Sequence, residues 1–338
     1  MKENHCVAVY KQDITLAIPT RNHAHYLTEI FGVLSRRQVL CPIIVLDSST
    51  DDETRFVCSQ SQHLQVRYVR CDPDMPPDSK SILAVKECRT EYLWILGDGL
   101  IPEIDTVLET IPFENGFDII HLVDLDARDT RRYYRQSGLP LSSEYTDAAA
   151  FFRDYFWTGT FMGALIIRRS YFQRILDPER IEKYLGSGFA IICAVLDVAC
   201  TEPFYCLVKA MHYYTPNPKK LSSAWMGSTE IFDLWAVNMP KSINCLPSSL
   251  SQWKPYVIST TAVRNQFLSR RGLIRWRGKG LFDREILQRY QEGLKKTSNV
   301  SLREMRVLAS MPKFLCKLLF LPFDLRMKIK RRLGRLPI

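Results

Sequence analysis

The sequence predicts an α/β fold, in which helices flank a mostly parallel sheet and a helical C-terminal extension follows. Over the first hundred residues, short apolar runs alternate with helix-like segments, which is the order of a parallel sheet with crossover helices. Beyond about Met239 the apolar periodicity becomes mostly helical. The chain has 338 residues, of which 46% are apolar and 24% charged, so it can bury a large core.

Short apolar runs are predicted to be buried strands, because strands covered on both faces show no polar alternation. In the first hundred residues they lie at 14–19, 42–46, 66–69 and 92–96. Helices are predicted between them at residues 25–34, from caps at 49–52 to about residue 59, and at 79–88. Farther along, strands are predicted at 118–123 and 161–167, and helices at 170–176, 189–196, 259–269, 283–294 and 301–309.

Polar residues follow three of the predicted strands. They are Thr20, Arg21 and Asn22 after the first, Asp47, Ser48 and Ser49 after the second, and Gly97, Asp98 and Gly99 after the fourth. Ligands of parallel sheets bind beyond the carboxyl ends of the strands, and these ends meet at one edge. We therefore expect a single ligand site at this edge of the sheet.

The net charge of +10 belongs mainly to the C-terminal tail, since residues 311–338 contain eight Lys or Arg and one Asp. A nucleic-acid-binding protein more often carries its charge on the core domain, so we expect no nucleic-acid partner. Apolar residues at helical spacing lie between the basic ones, which is typical of an amphipathic helix on an anionic membrane. The alternative is a helix packed on the body of the protein with a solvated basic end.

The cysteines and apolar stretches bear on localisation. Ten cysteines are scattered without CxxC pairs, which indicates reduced thiols in a cytosolic compartment. The start of the chain lacks the apolar segment of a signal peptide, and the longest apolar stretches fall short of the roughly 20 residues that span a bilayer. We expect a cytoplasmic protein that is peripheral at the inner face of the cell membrane.

Several motifs carry a family resemblance over residues 13–246. The first half contains ITLAIPTRN, then IIVLDSSTDDET, then TEYLWILGDGLIP. In this order and spacing they resemble the opening of family 2 glycosyltransferases with the GT-A fold. The second half contains WTGTFMGALIIRRSYF and EPFYCLVKAMHYYTPNPKKLSSAW, which are similar to bacterial members that build O-antigen, capsule or lipopolysaccharide, with the abequosyltransferase-like branch nearest.

The resemblance implies a nucleotide-sugar donor at the strand ends, bound by Pro19, Thr20, Asn22, Asp47, Ser49, Lys80 and Asp98. The first three would line the nucleobase, and Asp47 would bind the base or ribose through charge-assisted hydrogen bonds, with Ser49 assisting. Lys80 would neutralise phosphate, although a solvated lysine at a helix start is the alternative. Asp51 is interpreted first as a helix cap.

The resemblance also implies a divalent cation, Mg²⁺ or Mn²⁺, held by Asp98 across the donor diphosphate. The usual partner acid is replaced by Gly99, so the motif is GDG. One carboxylate would then hold the metal with phosphate oxygens and water, or the metal is weak or absent. A Gly-Asp-Gly turn that closes a strand is the alternative reading of Asp98.

An inverting transferase needs a carboxylate that deprotonates the acceptor hydroxyl as it attacks the sugar. The sequence offers three weak candidates for this base in the second half, Asp154, Glu182 and Asp197, and no motif selects among them. Asp197 lies in an apolar, helix-like run, where a carboxylate is costly unless it is paired. It is therefore predicted to be either structural or functional.

The predicted organisation is a GT-A domain at residues 1–240, with a donor half at about 13–120 and an acceptor half at about 121–240. A helical region at 241–338 ends in the basic amphipathic tail, residues 311–338. We expect a hexosyltransferase-like enzyme that moves a sugar to a glycan or lipid-linked acceptor of a bacterial surface polysaccharide. A non-catalytic GT-A-like protein that binds a glycan or a partner is the alternative, favoured by Gly99.

Overall fold

The computed structural model describes residues 13–97, 101–124, 138–140, 142–211, 213–214 and 228–319. The described residues group into two compact units. One lies within Met1–Leu221 and Ser242–Trp253, and the other within Ser222–Lys241 and Lys254–Ile338. The predicted domain boundary near residue 240 stays a prediction.

The first unit contains two sheets. The strands, in chain order, are β1 (Ile14–Thr20), β2 (Ile43–Asp47), β3 (Val66–Arg70), β4 (Tyr92–Ile95), β5 (Ile101–Pro102), β6 (Ile119–Asp124), β7 (Ser142–Tyr145), β8 (Leu165–Arg168), β9 (Cys206–Met211) and β10 (Tyr213–Tyr214). Within the described residues, β5 pairs only with β10, and the others form a sheet in the order β3-β2-β1-β4-β8-β6-β9-β7.

The large sheet is mostly parallel. The pairs β3-β2, β2-β1, β1-β4 and β6-β9 are parallel, whereas β8 and β7 run antiparallel to their neighbours. Its helices are α1 (Ala24–Arg36), α2 (Glu53–Gln60), α3 (Pro77–Glu87), α4 (Ile104–Thr110), α5 (Ala148–Tyr155), α6 (Arg169–Ile175), α7 (Pro178–Ile181) and α8 (Ala190–Ala199). Short 3₁₀ turns lie at Phe113–Asn115, Glu182–Tyr184 and Ser248–Leu250. The predicted α/β fold with a mostly parallel sheet is confirmed.

The predicted central strands form because helices cover both of their faces. Every residue of β1 and β2 is buried, and so is every residue of β4. Helix α1 buries an apolar stripe that includes Leu27, Ile30 and Leu34, which recur at helical spacing. Trp94 of β4 is fully buried and donates its indole N–H to the Gly163 carbonyl at 2.9 Å, so its polar atom is satisfied inside the core.

Two predicted elements differ from the structure. The strand expected at 161–167 begins only at Leu165, because residues 156–163 form turns in which Gly163 has φ +109°. The helix expected at 259–269 is Lys254–Arg264, and Gln266, with φ +60°, lies in the turn after it. A left-handed residue at this point interrupts the helical hydrogen-bond pattern.

The described chain from residue 228 to residue 319 is mostly helical, as predicted for the C-terminal extension. Helix α9 (Glu230–Phe232) continues through a π-helical segment (Asp233–Asn238) into α10 (Met239–Cys245), and α11 (Lys254–Arg264), α12 (Arg270–Lys279), α13 (Arg284–Thr297), α14 (Leu302–Ser310) and a helical run at 313–319 follow. Ser269, Asp283 and Ser301 cap α12, α13 and α14 with their side chains. Among the described helices, none combines the length and the apolar character needed to cross a bilayer.

Candidate functional site

The ends of β1 and β2 meet in one polar cluster. Asn22 follows β1 with a left-handed backbone (φ +56°), a conformation that asparagine tolerates better than most residues. Its backbone N–H donates to Ser49 Oγ at 2.8 Å, and its side-chain oxygen accepts the Thr50 N–H at 2.9 Å. The parallel register pairs Thr20 with Asp47, so the chain after each strand arrives at the same edge. This part of the predicted convergence is confirmed in the structure.

Asp47 is the centre of this cluster and is fully buried. Its Oδ1 accepts both the backbone N–H (2.9 Å) and the hydroxyl of Ser49. Its Oδ2 accepts the Tyr68 hydroxyl at 2.8 Å and an Arg70 N–H at 3.2 Å. Arg70 also donates to the Asp51 carbonyl at 2.8 Å. The carboxylate is thus neutralised by a cation and satisfied at both oxygens, which is what a buried charge requires.

Tyr68 and Arg70, at the end of β3, were not expected as site residues. Burial raises the pKa of Tyr68, and its hydrogen bond to Asp47 also raises it, so the phenol stays a hydrogen-bond donor at neutral pH. The sequence of β3, VRYVR, contains two arginines among apolar and aromatic residues, which indicates a half-exposed strand but not which acid Arg70 meets.

Lys80 holds the tip of β1 from helix α3. The side chain is buried, and Nζ donates to the Thr20 carbonyl at 3.0 Å. The same carbonyl accepts the Ser48 N–H at 3.1 Å. Pro19 is buried within β1 beside Leu46 of β2. The contribution of Lys80 to phosphate binding, and that of Pro19 to the nucleobase, stay predictions.

Asp98, the predicted metal ligand, lies outside the described residues. Gly97 is described, and a Cβ at this position would lie 3.5 Å from the Met162 carbonyl oxygen. The chain just before it lies beside β1, since the Leu96 N–H donates to the Ala17 carbonyl at 2.8 Å. Across the described part of the chain, no group of three or more His, Cys, Asp or Glu could hold a metal ion.

The three candidate bases have different surroundings. Asp154 forms an ion pair with Arg153 at 2.6 Å. Asp197 is buried, contacts Lys183 and accepts the Tyr184 hydroxyl at 2.7 Å, so it has the charge partner that its apolar helix requires. Glu182 is exposed on a 3₁₀ turn. The structure does not bring these carboxylates together, and none of them lines the cavity at the end of β4.

That cavity has a volume of about 80 Å³. It lies beside the end of β4, between α3, α8 and the turn before β8. Its lining includes Ile95, Thr160, Met162, Phe189 and Ile192, and one carboxylate, Asp78. Asp78 is 8% exposed, and it accepts the Gly188 N–H at 3.1 Å. Burial raises the pKa of its carboxyl, while hydrogen bonds from the backbone of residues 186–190 lower it.

Sequence reasoning missed Asp78, because an acid in the first turn of a helix is explained by the helix dipole alone. Its partner Gly188 is 110 residues away in the chain. The cavity itself is mostly apolar, and its hydroxyl groups are already committed. Ser81 donates to the Pro77 carbonyl at 3.1 Å, and Thr160 donates to the Trp157 carbonyl at 2.9 Å.

No protein-family model and no curated protein matches the sequence. Solved structures do. S. aureus TarS 1–349 in complex with UDP-GlcNAc is 16% identical, with a TM-score of 0.51 over 83% of this chain and 81% of that chain. S. aureus TarS is 13% identical, with a TM-score of 0.50 over 88% of this chain and 55% of that chain.

A mannosyltransferase, PcManGT from Pyrobaculum calidifontis in complex with GDP-Man and Mn²⁺, is 13% identical, with a TM-score of 0.47 over 93% of this chain and 88% of that chain. At such low identity the likeness to TarS, with a TM-score of 0.51, establishes architecture and not activity. The chain has the GT-A fold of glycosyltransferases.

Proposed function

We propose that the chain is an inverting glycosyltransferase that moves a sugar from a nucleotide-sugar donor to a glycan or lipid-linked acceptor in bacterial surface polysaccharide synthesis. The observation that carries the proposal is the polar cluster at the ends of β1 and β2, built on a GT-A fold. Asn22 and Ser49 join the two strand ends, and Asp47 and Arg70 supply opposite charges there. TarS, which has this fold, has been solved with UDP-GlcNAc.

The cluster suits the nucleoside part of a donor. The carboxylate of Asp47 is enclosed, so it acts by holding Arg70 and Ser49 in place. The Arg70 side chain is 41% exposed and can still contact a ligand. A guanidinium fixed on one side presents its remaining N–H groups in a defined direction, which suits carbonyl, ribose and phosphate oxygens.

The donor site is tested by titrating the purified chain with UDP, GDP and dTDP, each with Mg²⁺ and with Mn²⁺, in a calorimeter. Asn22→Gly removes the amide that bonds Thr50 but keeps the left-handed backbone, since glycine adopts it freely. We expect the dissociation constant to rise about tenfold, the effect of one or two lost hydrogen bonds. Gln38→Gly is the matched control, because Gln38 is also left-handed (φ +51°) but follows α1.

Two results would overturn the donor site. One is that no nucleotide binds the wild-type chain under any of these conditions. The other is that Gln38→Gly weakens binding as much as Asn22→Gly, since the effect would then come from the backbone. Nucleotide binding without transfer to any acceptor would favour the alternative, a non-catalytic protein, which the GDG motif with Gly99 supports.

Catalysis needs a base and an inverted product. Asp154, Glu182 and Asp197 stay the candidates, and each is tested by its amide variant against the rate of transfer. Direct displacement predicts that the anomeric configuration of the product is opposite to that of the donor, which NMR of the product determines. Retention of configuration would exclude the single-displacement mechanism.

We also propose that the C-terminal region contacts an anionic membrane. Among the nine exposed large hydrophobic residues of the described chain, five lie between residues 307 and 319: Val307, Phe314, Leu315, Leu318 and Leu319. In the helical run 313–319 four of them share one side, and Cys316, on the opposite side, is buried. Lys313 and Lys317 are exposed on the same helical run, and Lys317 borders this apolar face.

The membrane contact is measured by sedimentation with vesicles of phosphatidylcholine, with and without phosphatidylglycerol. We expect binding only to the anionic vesicles, because each basic residue near the surface contributes about 1 kcal/mol. The double variant Phe314→Ser with Leu318→Ser should bind about thirtyfold more weakly, at about 1 kcal/mol for each partly buried side chain. Phe56→Ser is the matched control, because Phe56 is 65% exposed in the first unit. Equal losses in both variants would refute a specific face.

A further inference from the structure

We infer that Asp78 is a positioning residue of the transfer reaction, which fixes the loop 186–188 and the start of α8 as one wall of the cavity at the end of β4. The inference rests on the proposed glycosyltransferase function and adds a residue to its site. Asp78 contributes to this wall from α3, a helix of the donor half, whereas the loop and α8 belong to the acceptor half.

The carboxylate of Asp78 is an acceptor for backbone amides. It is 8% exposed and accepts the Gly188 N–H at 3.1 Å, and although burial raises its pKa, the backbone of Gly186, Ser187 and Ala190, like that of Gly188, acts to lower it. The first amides of a helix have no acceptor within the helix, so those at the start of α8 depend on an outside group. Asp78 lies at this helix start, since it accepts the Gly188 N–H just before α8, and it brings a negative charge to the positive end of the α8 dipole.

The loop needs this anchor because of its backbone. Gly186 and Gly188 both have left-handed φ angles, of +73° and +79°. Glycine has more backbone freedom than any other residue in a disordered chain. A loop with two glycines therefore depends on hydrogen bonds to hold one conformation. Ser187 bonds the loop to itself, since its hydroxyl accepts the Phe189 N–H at 3.0 Å, and Asp78 ties it to α3.

Helix α3 therefore holds two parts of the site. Through Lys80 it binds the Thr20 carbonyl at the tip of β1, and through Asp78 it binds the loop before α8. Gly188 and Phe189 line the cavity together with Ile95 of β4. A shift of the loop relative to α3 would change the cavity but leave the cluster at the β1 and β2 ends in place.

The geometry distinguishes this role from that of a general base. A base must turn a free lone pair toward the acceptor hydroxyl. Although burial raises the pKa of the Asp78 carboxyl, this carboxylate is 8% exposed and faces the backbone before α8, where it accepts the Gly188 N–H at 3.1 Å, so it is not turned toward an acceptor hydroxyl. Asp78 therefore acts on the reaction through the loop.

The test compares Asp78→Asn with wild type. The amide replaces one acceptor oxygen with a donor that faces backbone N–H groups, so the loop loses part of its anchor. We expect the affinity for nucleoside diphosphate to stay within about twofold of wild type. We expect kcat/KM for transfer to fall about tenfold to a hundredfold, because a displaced cavity wall misaligns the reacting groups. Amide exchange at residues 186–190 should become faster, and the pH profile of the remaining activity should keep its shape.

Two further variants complete the design. Gly188→Ala keeps the carboxylate but strains the left-handed backbone, so it should reproduce the loss of transfer and the faster exchange. Glu87→Gln, at the other end of α3, removes a carboxylate that pairs with Arg67 and should change none of these measurements. If Asp78→Asn does not fold, Gly188→Ala decides the question alone.

Transfer at the wild-type rate by Asp78→Asn, or unchanged exchange at residues 186–190, would overturn the inference. If Asp78→Asn loses one limb of the pH profile while amide exchange at residues 186–190 stays at the wild-type rate, Asp78 is a general base. That result would also overturn the inference. A wild-type chain that binds no nucleotide and transfers no sugar would instead refute the proposed function. If the wild-type enzyme is active, differences in transfer or amide exchange between the variants therefore test the role of Asp78 and not the proposed function.

Discussion

Replacing Asp47 with asparagine tests whether the polar cluster stabilises the strand ends through its charge. Asparagine keeps one oxygen, which can still accept the two hydrogen bonds of Ser49. Its amide group would face the Tyr68 hydroxyl, which can rotate to accept, and Arg70, which can only donate. The substitution therefore removes one charge-assisted hydrogen bond and places two donors against each other.

The expected cost follows from these contacts. A hydrogen bond to a charged group contributes about 1.5–3 kcal/mol. Arg70 is 41% exposed and can return to water, so no buried unpaired cation remains. We expect Asp47→Asn to lower the free energy of unfolding by about 2 kcal/mol. Asp47→Ala also removes the acceptor of the Ser49 and Tyr68 hydrogen bonds, so we expect it to lower the free energy of unfolding by about 4 kcal/mol.

The assay is urea unfolding followed by tryptophan fluorescence, in which Trp94 in the core reports on the sheet. Asp105→Asn is the control, because the Arg37–Asp105 pair is more exposed and should contribute less than about 1 kcal/mol. An Asp47→Asn protein that unfolds at the urea concentration of wild type would refute the reasoning, since the carboxylate would then have no net effect on stability.

Three further predictions concern packing, pH and metal. Gly293→Ala should lower stability by more than about 2 kcal/mol in urea unfolding, because its Cβ would lie 2.0 Å from the Ala236 carbonyl oxygen. Gly32→Ala, whose Cβ meets only the end of an arginine side chain, should raise stability by about 0.5–1 kcal/mol. Burial lowers the pKa of His121 from 6.5 to about 3, so the unfolded chain binds the extra proton and stability should fall as pH drops from about 6.5, by up to about 1.4 kcal/mol per pH unit. His121→Gln should flatten this slope in unfolding measured at several pH values. Chelation with EDTA should weaken nucleoside diphosphate binding in wild type but not in Asp98→Ala, and equal weakening in both would remove Asp98 as the ligand.

Much of the fold could be predicted because its central strands are buried on both faces. Such strands show as short apolar runs, as β1, β2 and β4 do. The missed strands lack this signal. Strand β7 (SSEY) is a partly exposed edge strand with polar residues, and β9 (CLVKAM) lies in a stretch rich in proline and aromatic residues. Their pairing comes from tertiary context, which local sequence patterns do not contain.

The site was predictable only where parallel strands bring its residues together. Asn22 and Ser49 follow neighbouring strands, so the topology alone places them side by side. The partners of Asp47 and Asp78 were not foreseeable in this way. Arg70 belongs to a half-exposed strand, and the loop at Gly188 reaches α3 through long-range packing.

The reversed direction of β8 has a consequence for how this protein could acquire new substrates. The parallel strands near the cavity end at the ligand edge, so the residues that follow them lie there. Strand β8 runs in the opposite direction and begins at that edge, so the residues that precede it, 157–163, lie there instead. Gly97 lies against this entering segment at Met162. Exchanging the segment between relatives would remodel the cavity while leaving both the register of β4 and the polar cluster at the ends of β1 and β2 unchanged. Under the proposed function, the choice of sugar could therefore change without a change in nucleotide recognition.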